Sequence, residues 1–474
     1  MDVKEFAKFE EQERLFNREY GGIPYWQYLR GFVYNYVSLD RFEKETAAGN
    51  KQKLHQKMSN WMYSGIKGIK SELALKKQTA VDVILFRIFE GPDRFYDYWN
   101  LPEKITAIRI MRNMAVEKAS PPGIFYMGLP SAISAVTNFV QKKLHRRIRD
   151  EKEFRFLKEL EQKVICRFGK CMTAGQMQEL IQGYLNSKTI LRWYYGRLFD
   201  HLKPRAIVVT MYPNSILYAA YEEARNRGIK IIALQHCLIY NHPWYWFEDQ
   251  RGLNNPIPDY MLLFGRVHET WTKFPQNTTC VSVGFPFQEH ELKRLEQFET
   301  DEKAVIVYPT SDERFEMVIS EFIDKADPLG YKVIMKVHPG EESDNLEIYY
   351  PLLSKKKNLD IITDQSKGIY YWLKRGKHHV MVNSTVGYEA LAVDGSNICI
   401  AQNVKHEMMQ PLLDWGIARG FQTADELLEL ICHPLETDTL HRRELWEENA
   451  SENMERFFRQ MQEQGWPDGK DFRQ

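Results

Sequence analysis

Between Pro204 and His236 the chain carries an apolar run (RAIVVTM), a stretch with helical spacing (ILYAAYEEARNRG) that ends at Gly228, and a second apolar run (KIIALQH). Strand, helix and strand within about thirty residues form a βαβ unit, and because such a crossover joins parallel strands it commits the chain to a parallel sheet with helices on its faces. The same alternation extends in both directions. The runs AVDVILF, from Ala80, and ITAIRI, from Ile105, precede the unit, and DYMLLFG and CVSVGFP follow it. After the charged segment EHELKRLEQFETDEK, about residues 289 to 303, the alternation restarts with AVIVYPT, SDERFEMVISEFIDKA, KVIMKVHP, LDIITD, IYYWLKRG, HHVMVNST, VGYEALAV and NICIAQ. Two doubly wound α/β domains are therefore expected, over 81–290 and 301–422. A helical extension, 1–80, broken at Gly21-Gly22-Ile23-Pro24, precedes them, and two charged amphipathic helices over 423–474 follow. A length of 474 residues agrees with two or three cores.

Composition narrows the partners. Lys plus Arg equals Asp plus Glu at 64 each, a balance that argues against a nucleic-acid binder. No apolar run approaches the ~18 residues that cross a bilayer, and the N-terminal segment MDVKEFAKFEEQERLF is charged, so a cytoplasmic protein is expected. The six cysteines are too scattered for a disulfide framework or a zinc site, and are read as reduced. Aromatic residues are in excess at 13%; most are assigned to the core, although flat rings also serve as stacking surfaces for sugars.

Ligands of open α/β sheets bind beyond the C-terminal ends of the strands, so chemistry is sought there. KVIMKV runs into His338-Pro339-Gly340, which presents an imidazole where the chain turns away. HHVMVN runs into Ser384-Thr385 and a helix containing Gly387 and Glu389. Hydroxyls and N–H groups at a helix start bind phosphate, although Ser384 has the alternative role of a helix cap. Glu389 is within reach of a ribose diol or, alternatively, complements the helix dipole. Thr310-Ser311, after AVIVYP, either contact the same ligand or cap the next helix, and Lys336 adjoins His338 if the strand stays regular.

The order His-Pro, then N-S-T-x-G-Y-E-A-L, resembles the donor domain of GT-B glycosyltransferases that build bacterial capsules and other surface polysaccharides. The resemblance to sialyltransferases, Kdo transferases and polyol-phosphate transferases implies that His338, Ser384 and Thr385 hold the phosphate of a cytidine nucleotide. The N-terminal half is similar through Gln235-His236, Pro258-Asp259-Tyr260 and Gly284-Phe285-Pro286, and I-P-Y-W-Q-Y-L-R at 23–30 also resembles such enzymes. Two departures stand out: Cys237 replaces the glycine of Gln-His-Gly, and the acidic motif that carries the base in sialyltransferases is absent, since Glu248-Asp249 is followed by Gln250-Arg251-Gly252.

The expected activity is an inverting transfer from a nucleotide sugar, CMP-sugar favoured, to a glycan or lipid-linked glycan acceptor. A proton acceptor must then lie on the N-terminal domain at a strand end. His236, whose side chain type titrates near neutral pH, satisfies this, as do Glu90 and Asp93 after VDVILF. No Asp-x-Asp sequence occurs, so no metal and no cofactor beyond the donor are expected. Alternatives are a catalytically silent glycan-binding scaffold, a nucleotide-sugar 2-epimerase and a CDP-polyol phosphotransferase. The basic stretch Lys142, Lys143, Arg146, Arg147 and Arg149, or the aromatic N-terminal helices, offer peripheral contact with the inner membrane.

Overall fold

A computed structural model describes residues 2–20, 23–38, 71–87, 105–111, 124–126, 137, 151–210, 215–236, 238–239, 246–247, 257–338, 346–364, 366–404, 407–435, 439–463 and 465. Glu90, Asp93, Cys237, Glu248, Asp249 and the basic stretch 142–149 lie outside them.

Two parallel sheets form the body. The first has seven strands in the order β5-β4-β3-β6-β7-β8-β9: β3 Val83–Arg87, β4 Ala107–Met111, β5 Ile124–Tyr126, β6 Ala206–Val209, β7 Lys230–Leu234, β8 Tyr260–Leu263 and β9 Thr279–Ser282. The second has six, in the order β12-β11-β10-β13-β14-β15: β10 Asp301–Val307, β11 Lys332–Lys336, β12 Leu359–Ile362, β13 Gly376–Met381, β14 Asn397–Ala401 and β15 Ala418–Phe421. Every pairing within both sheets is parallel. β6 and β14 are buried along their length and β10 is buried from Ala304 to Val307, which is why they read as unbroken apolar runs. The expected α/β, GT-B-type pair of Rossmann-like domains is what this topology describes. In each sheet the chain winds outward from the first strand and then reverses, which puts the switch points between β3 and β6 and between β10 and β13.

The described part of the N-terminal extension includes helices Val3–Gln12 and Trp26–Ser38, and β1 Glu19–Tyr20 pairs antiparallel with β2 Ile23–Pro24. Inside this extension Glu10 and Arg30 form a buried ion pair, Arg30 Nη2 lying 2.6 Å from Glu10 Oε2, and Trp26 Nε1 donates to Glu10 Oε1 at 2.7 Å. Burial raises the Glu10 carboxyl against the pull of Arg30 and these hydrogen bonds. The Arg30 guanidinium lies against the rings of Phe16 and Phe247, which also meet each other, and donates to the Trp246 carbonyl oxygen, so the extension grips the chain that follows β7. The Y-W-Q-Y-L-R stretch is thus a structural anchor, with Tyr25, Trp26, Leu29 and Arg30 all buried.

A 29-residue helix, Ala174–Leu202, went unread in the sequence although it carries a capping box, Thr173 with Gln176. It packs on helix Ser215–Asn226 and forms one face of the first domain. Among its described residues the tail holds three helices where two were expected, and it is shared between the domains. Ala424–Cys432 packs on Glu313–Ala326 of the second domain and stops before Pro434. Thr439–Leu445 crosses back, and Ala450–Glu463 lays Met454, Phe457, Phe458 and Met461 on the outer face of the first sheet, against Val83, Leu85, Ile232 and Leu262. No helix among the described residues is long and apolar enough to cross a membrane.

Candidate functional site

Phe264 and Phe285, just after β8 and β9, share an apolar cluster with Tyr388, just after β13, so both sets of strand C-terminal ends face one interface. Trp271 of the first domain stacks on Trp415 of the second at 5.3 Å and meets Tyr388 edge-on at 5.8 Å. Trp446, in the returning tail, packs on Phe264 and Phe285 and donates its indole N–H to the Tyr388 carbonyl oxygen at 3.1 Å.

On the second domain, three neighbouring strands deliver the expected residues to this side. β11 leads to His338, β10 to Thr310 and Ser311, and β13 to Ser384 and Thr385; adjacent strands lie about 4.8 Å apart, so the three ends are neighbours around the switch point. His338 is exposed, and Ser384 and Thr385 are half-buried. Ser384 Oγ accepts the N–H of Val386, the first helical residue, at 3.3 Å, which uses one acceptor site of the hydroxyl; the N-cap position itself is Thr385, whose side chain makes no capping bond. Thr310 and Ser311 are not the cap of the following helix: Asp312 is, its carboxylate accepting the Arg314 N–H at 3.0 Å. Glu389 stands one turn into helix Val386–Ala390, close enough to Tyr308 for its charge to add to the effect of burial and hold the phenol well above its ordinary range. Tyr308, which the sequence reading passed over, is the last residue before Pro309 and also contacts His379 Nδ1 at 3.3 Å. Lys336 is placed differently. It is buried, its ammonium donates to the Val337 carbonyl at 3.1 Å, and it adds to the effects that lower Asp364, beyond β12, which is held low chiefly by Ser366.

The N-S-T-V-G-Y-E motif divides by role. Asn383 Oδ1 accepts the Met408 N–H, Tyr388 Oη donates to the Met408 carbonyl at 2.7 Å, and Gly387 leaves room for Met409, whose Cε would stand 2.4 Å from an added Cβ. These three fasten the 407–409 segment.

On the first domain, His236 lies just past β7 and hydrogen-bonds the backbone of Thr210 at the end of β6, directly beside the switch point. Burial lowers its pKa from 6.5 to about 4, which corrects the expectation of a histidine titrating near neutral pH: at neutral pH the ring is uncharged and open to a proton but weakly basic. Glu90 and Asp93 follow β3, the strand on the other side of the same switch point, and lie outside the described residues.

The other resembling motifs are structural. Gln235 Oε1 accepts the Phe264 N–H at 2.7 Å and ties β7 to β8. Asp259 Oδ2 accepts the Ile231 N–H at 2.8 Å, and Tyr260 packs on Phe457. Gly284, with φ of +86°, presses against the tail, where an added Cβ would come within 2.4 Å of the Glu447 carbonyl oxygen. Pro286 opens helix Pro286–Arg294.

No family model matches the chain, and no curated protein does. Among solved structures it is similar to a UDP-GlcNAc 2-epimerase of Methanocaldococcus jannaschii in complex with UDP-GlcNAc and UDP, at 11% identity and a TM-score of 0.47, over 81% of this chain and 99% of that one. It is similar to a UDP-GlcNAc 2-epimerase of Neisseria meningitidis bound to UDP-GlcNAc, at 10% identity and a TM-score of 0.45, over 80% and 99% of the two chains. A glycosyltransferase of kitacinnamycin is similar at 13% identity and a TM-score of 0.42, over 82% and 100%.

Proposed function

We propose that the chain is an inverting glycosyltransferase that takes its sugar from a nucleotide sugar, a CMP-sugar before others, and passes it to a glycan or lipid-linked glycan of a bacterial surface polysaccharide. The observation that carries this reading is the meeting of His338, Thr310, Ser311, Ser384 and Thr385 at the switch point of the second sheet, opposite the strand ends of the first. As the donor bond breaks, negative charge grows on the leaving phosphate, and groups already aimed at it lower the barrier without reorganising. His338 supplies a donor from β11, and Ser384 and Thr385 supply hydroxyls from β13. Glu389 takes the ribose diol. Lys336, folded back on the Val337 carbonyl and lying near Asp364, takes no direct part in this reading. The acceptor hydroxyl loses its proton to a base on the first domain, and the candidates are His236, Glu90 and Asp93. A neutral imidazole with a low pKa accepts a proton more readily once the phosphate of the donor stands near it, since a nearby anion favours the charged ring.

Calorimetric titration with CMP, CDP, UDP and GDP in EDTA, repeated on His338→Ala, tests the donor site. Selective binding of one nucleotide, lost in the variant with an unchanged melting temperature, is expected. Absence of binding to all four favours the silent scaffold, and conversion of a nucleotide sugar without acceptor favours the epimerase. Turnover retained in His236→Ala but abolished in Glu90→Ala or Asp93→Ala moves the base to β3. Flotation with anionic liposomes at physiological salt tests the membrane contact, which is discarded if the protein stays at the bottom of the gradient.

A further inference from the structure

A cavity of about 450 Å³ opens on the outer face of the first domain, between helices Ala174–Leu202 and Ser215–Asn226 and the Ile23–Pro24 strand. Helix Ser215–Asn226 returns from the end of β6 to the start of β7, so its last turn, followed by Arg227, stands beside the N-terminal ends of the strands. Asp200, at the end of the long helix that leads into β6, stands there too. The cavity is thus at the opposite edge of the sheet from His236.

Its walls are charged and largely self-paired. Lys188 meets Glu222 at 2.5 Å, Arg192 meets Glu223 at 2.8 Å, and Arg227 bonds both Glu223, at 2.5 Å, and Asp200, at 2.8 Å. Four cations face three carboxylates, and the cation left over is Arg197. Arg197 makes no ion pair among the described residues; its guanidinium lies 5.1 Å from the centroid of the Trp193 ring. Trp193 itself is 62% exposed, an indole held in water on a rigid helix.

An open indole beside ordered guanidinium–carboxylate pairs suits a sugar ring, whose apolar C–H face stacks on the indole while its hydroxyls bond the charged groups. A planar guanidinium without a partner bonds a carboxylate through two parallel N–H donors. The walls carry one cation more than carboxylates, and that cation matches an acid group of the ligand. The volume lies in the ~300–1,000 Å³ range of small-molecule sites. We propose that this cavity binds an acidic oligosaccharide, with Trp193 as the stacking surface and Arg197 as the partner of a sugar carboxylate, apart from the nucleotide cleft.

The test does not depend on turnover. The full chain is titrated with oligogalacturonate of four to six sugars and with malto-oligosaccharide of equal length, read by calorimetry and tryptophan fluorescence. Oligogalacturonate is expected to bind and the neutral oligomer to bind about tenfold more weakly, the factor set by one charge-assisted hydrogen bond. Trp193→Ala is expected to abolish binding of both, and Arg197→Gln to reduce oligogalacturonate to the level of the neutral oligomer, each with an unchanged melting temperature. The proposal is overturned if oligogalacturonate fails to bind at millimolar concentration, if it binds Trp193→Ala as well as the parent, if the neutral oligomer binds equally, or if CMP or UDP displaces it.

Discussion

Arg30 shows how much one residue can hold. Its guanidinium is almost fully buried, satisfies Glu10 through two bonds and the Trp246 carbonyl through a third, and lies against two aromatic rings. Removing one member of such a pair leaves a buried charge unmatched, so Arg30→Ala is expected to cost ~3–5 kcal/mol in urea unfolding, whereas replacing Arg30 and Glu10 together by Met and Leu recovers most of that loss. Equal losses in the single and double variants would mean that the rings and the Trp246 carbonyl, and not the ion pair, carry the effect. At this scale the sequence was legible where function follows from chain position. His338, Ser384 and Thr385 were found because residues that follow apolar runs sit at strand ends. Gln235, Asp259 and Gly284 were tied to ligand motifs by resemblance, yet they serve contacts with Phe264, Ile231 and Glu447, and nothing local in the sequence announces partners 28 to 163 residues away. The low pKa of His236 was invisible for the same reason, since burial is a property of the assembled domain.

At the scale of elements, the alternation of apolar runs and helical spacing read out nearly every central strand, because a strand buried on both faces has no choice but to be apolar throughout. The short strand β15 and the destination of the last helix escaped. Helix Ala450–Glu463 is amphipathic, which says that it packs but not on what; it returns to cover the first sheet rather than the second. That return is fixed at Gly284, where φ is positive and an added Cβ would stand 2.4 Å from the Glu447 carbonyl oxygen, which leaves no room for a side chain. Gly284→Ala is expected to destabilise by ~1–3 kcal/mol through strain and overpacking. Phe458→Ala, which opens a cavity under the helix, is expected to cost ~3–5 kcal/mol. Both are read by denaturant midpoints. Because the helix belongs to the first sheet, Phe458→Ala is also expected to leave nucleotide binding at the second sheet within twofold, and a parallel loss of binding would show the two domains to unfold as one unit.

Across the whole molecule the buried histidines set the response to acid. His236, His268 and His378 are lowered from 6.5 to about 4, and His379 to about 3, in each case chiefly by burial, and they are spread over both domains. Each is a depressed folded-state pKa, so between 6.5 and about 4 the unfolded chain binds protons that the folded chain refuses. Unfolding therefore takes up protons in that window, and stability falls as the pH falls through it. The carboxyls of Glu10, Glu72, Glu316 and Glu447 are raised above 4.5 by burial and act in the opposite direction. Each unit of depression is worth ~1.4 kcal/mol, against a total stability of ~5–15 kcal/mol for an ordinary domain, so the four rings take a large part of that total and the chain is expected to lose stability in acid. The melting temperature should be nearly constant from pH 8 to pH 7 and decline steeply from pH 6.5 to pH 5. Calorimetry in buffers of different ionisation enthalpy should show uptake of more than one proton on unfolding at pH 5.5. A melting temperature that stays level from pH 7 to pH 5 would mean that these rings titrate in the folded chain as they do in the unfolded one. His236 would then be a stronger base at neutral pH than its burial allows, and its claim to the acceptor proton over Glu90 and Asp93 would rise.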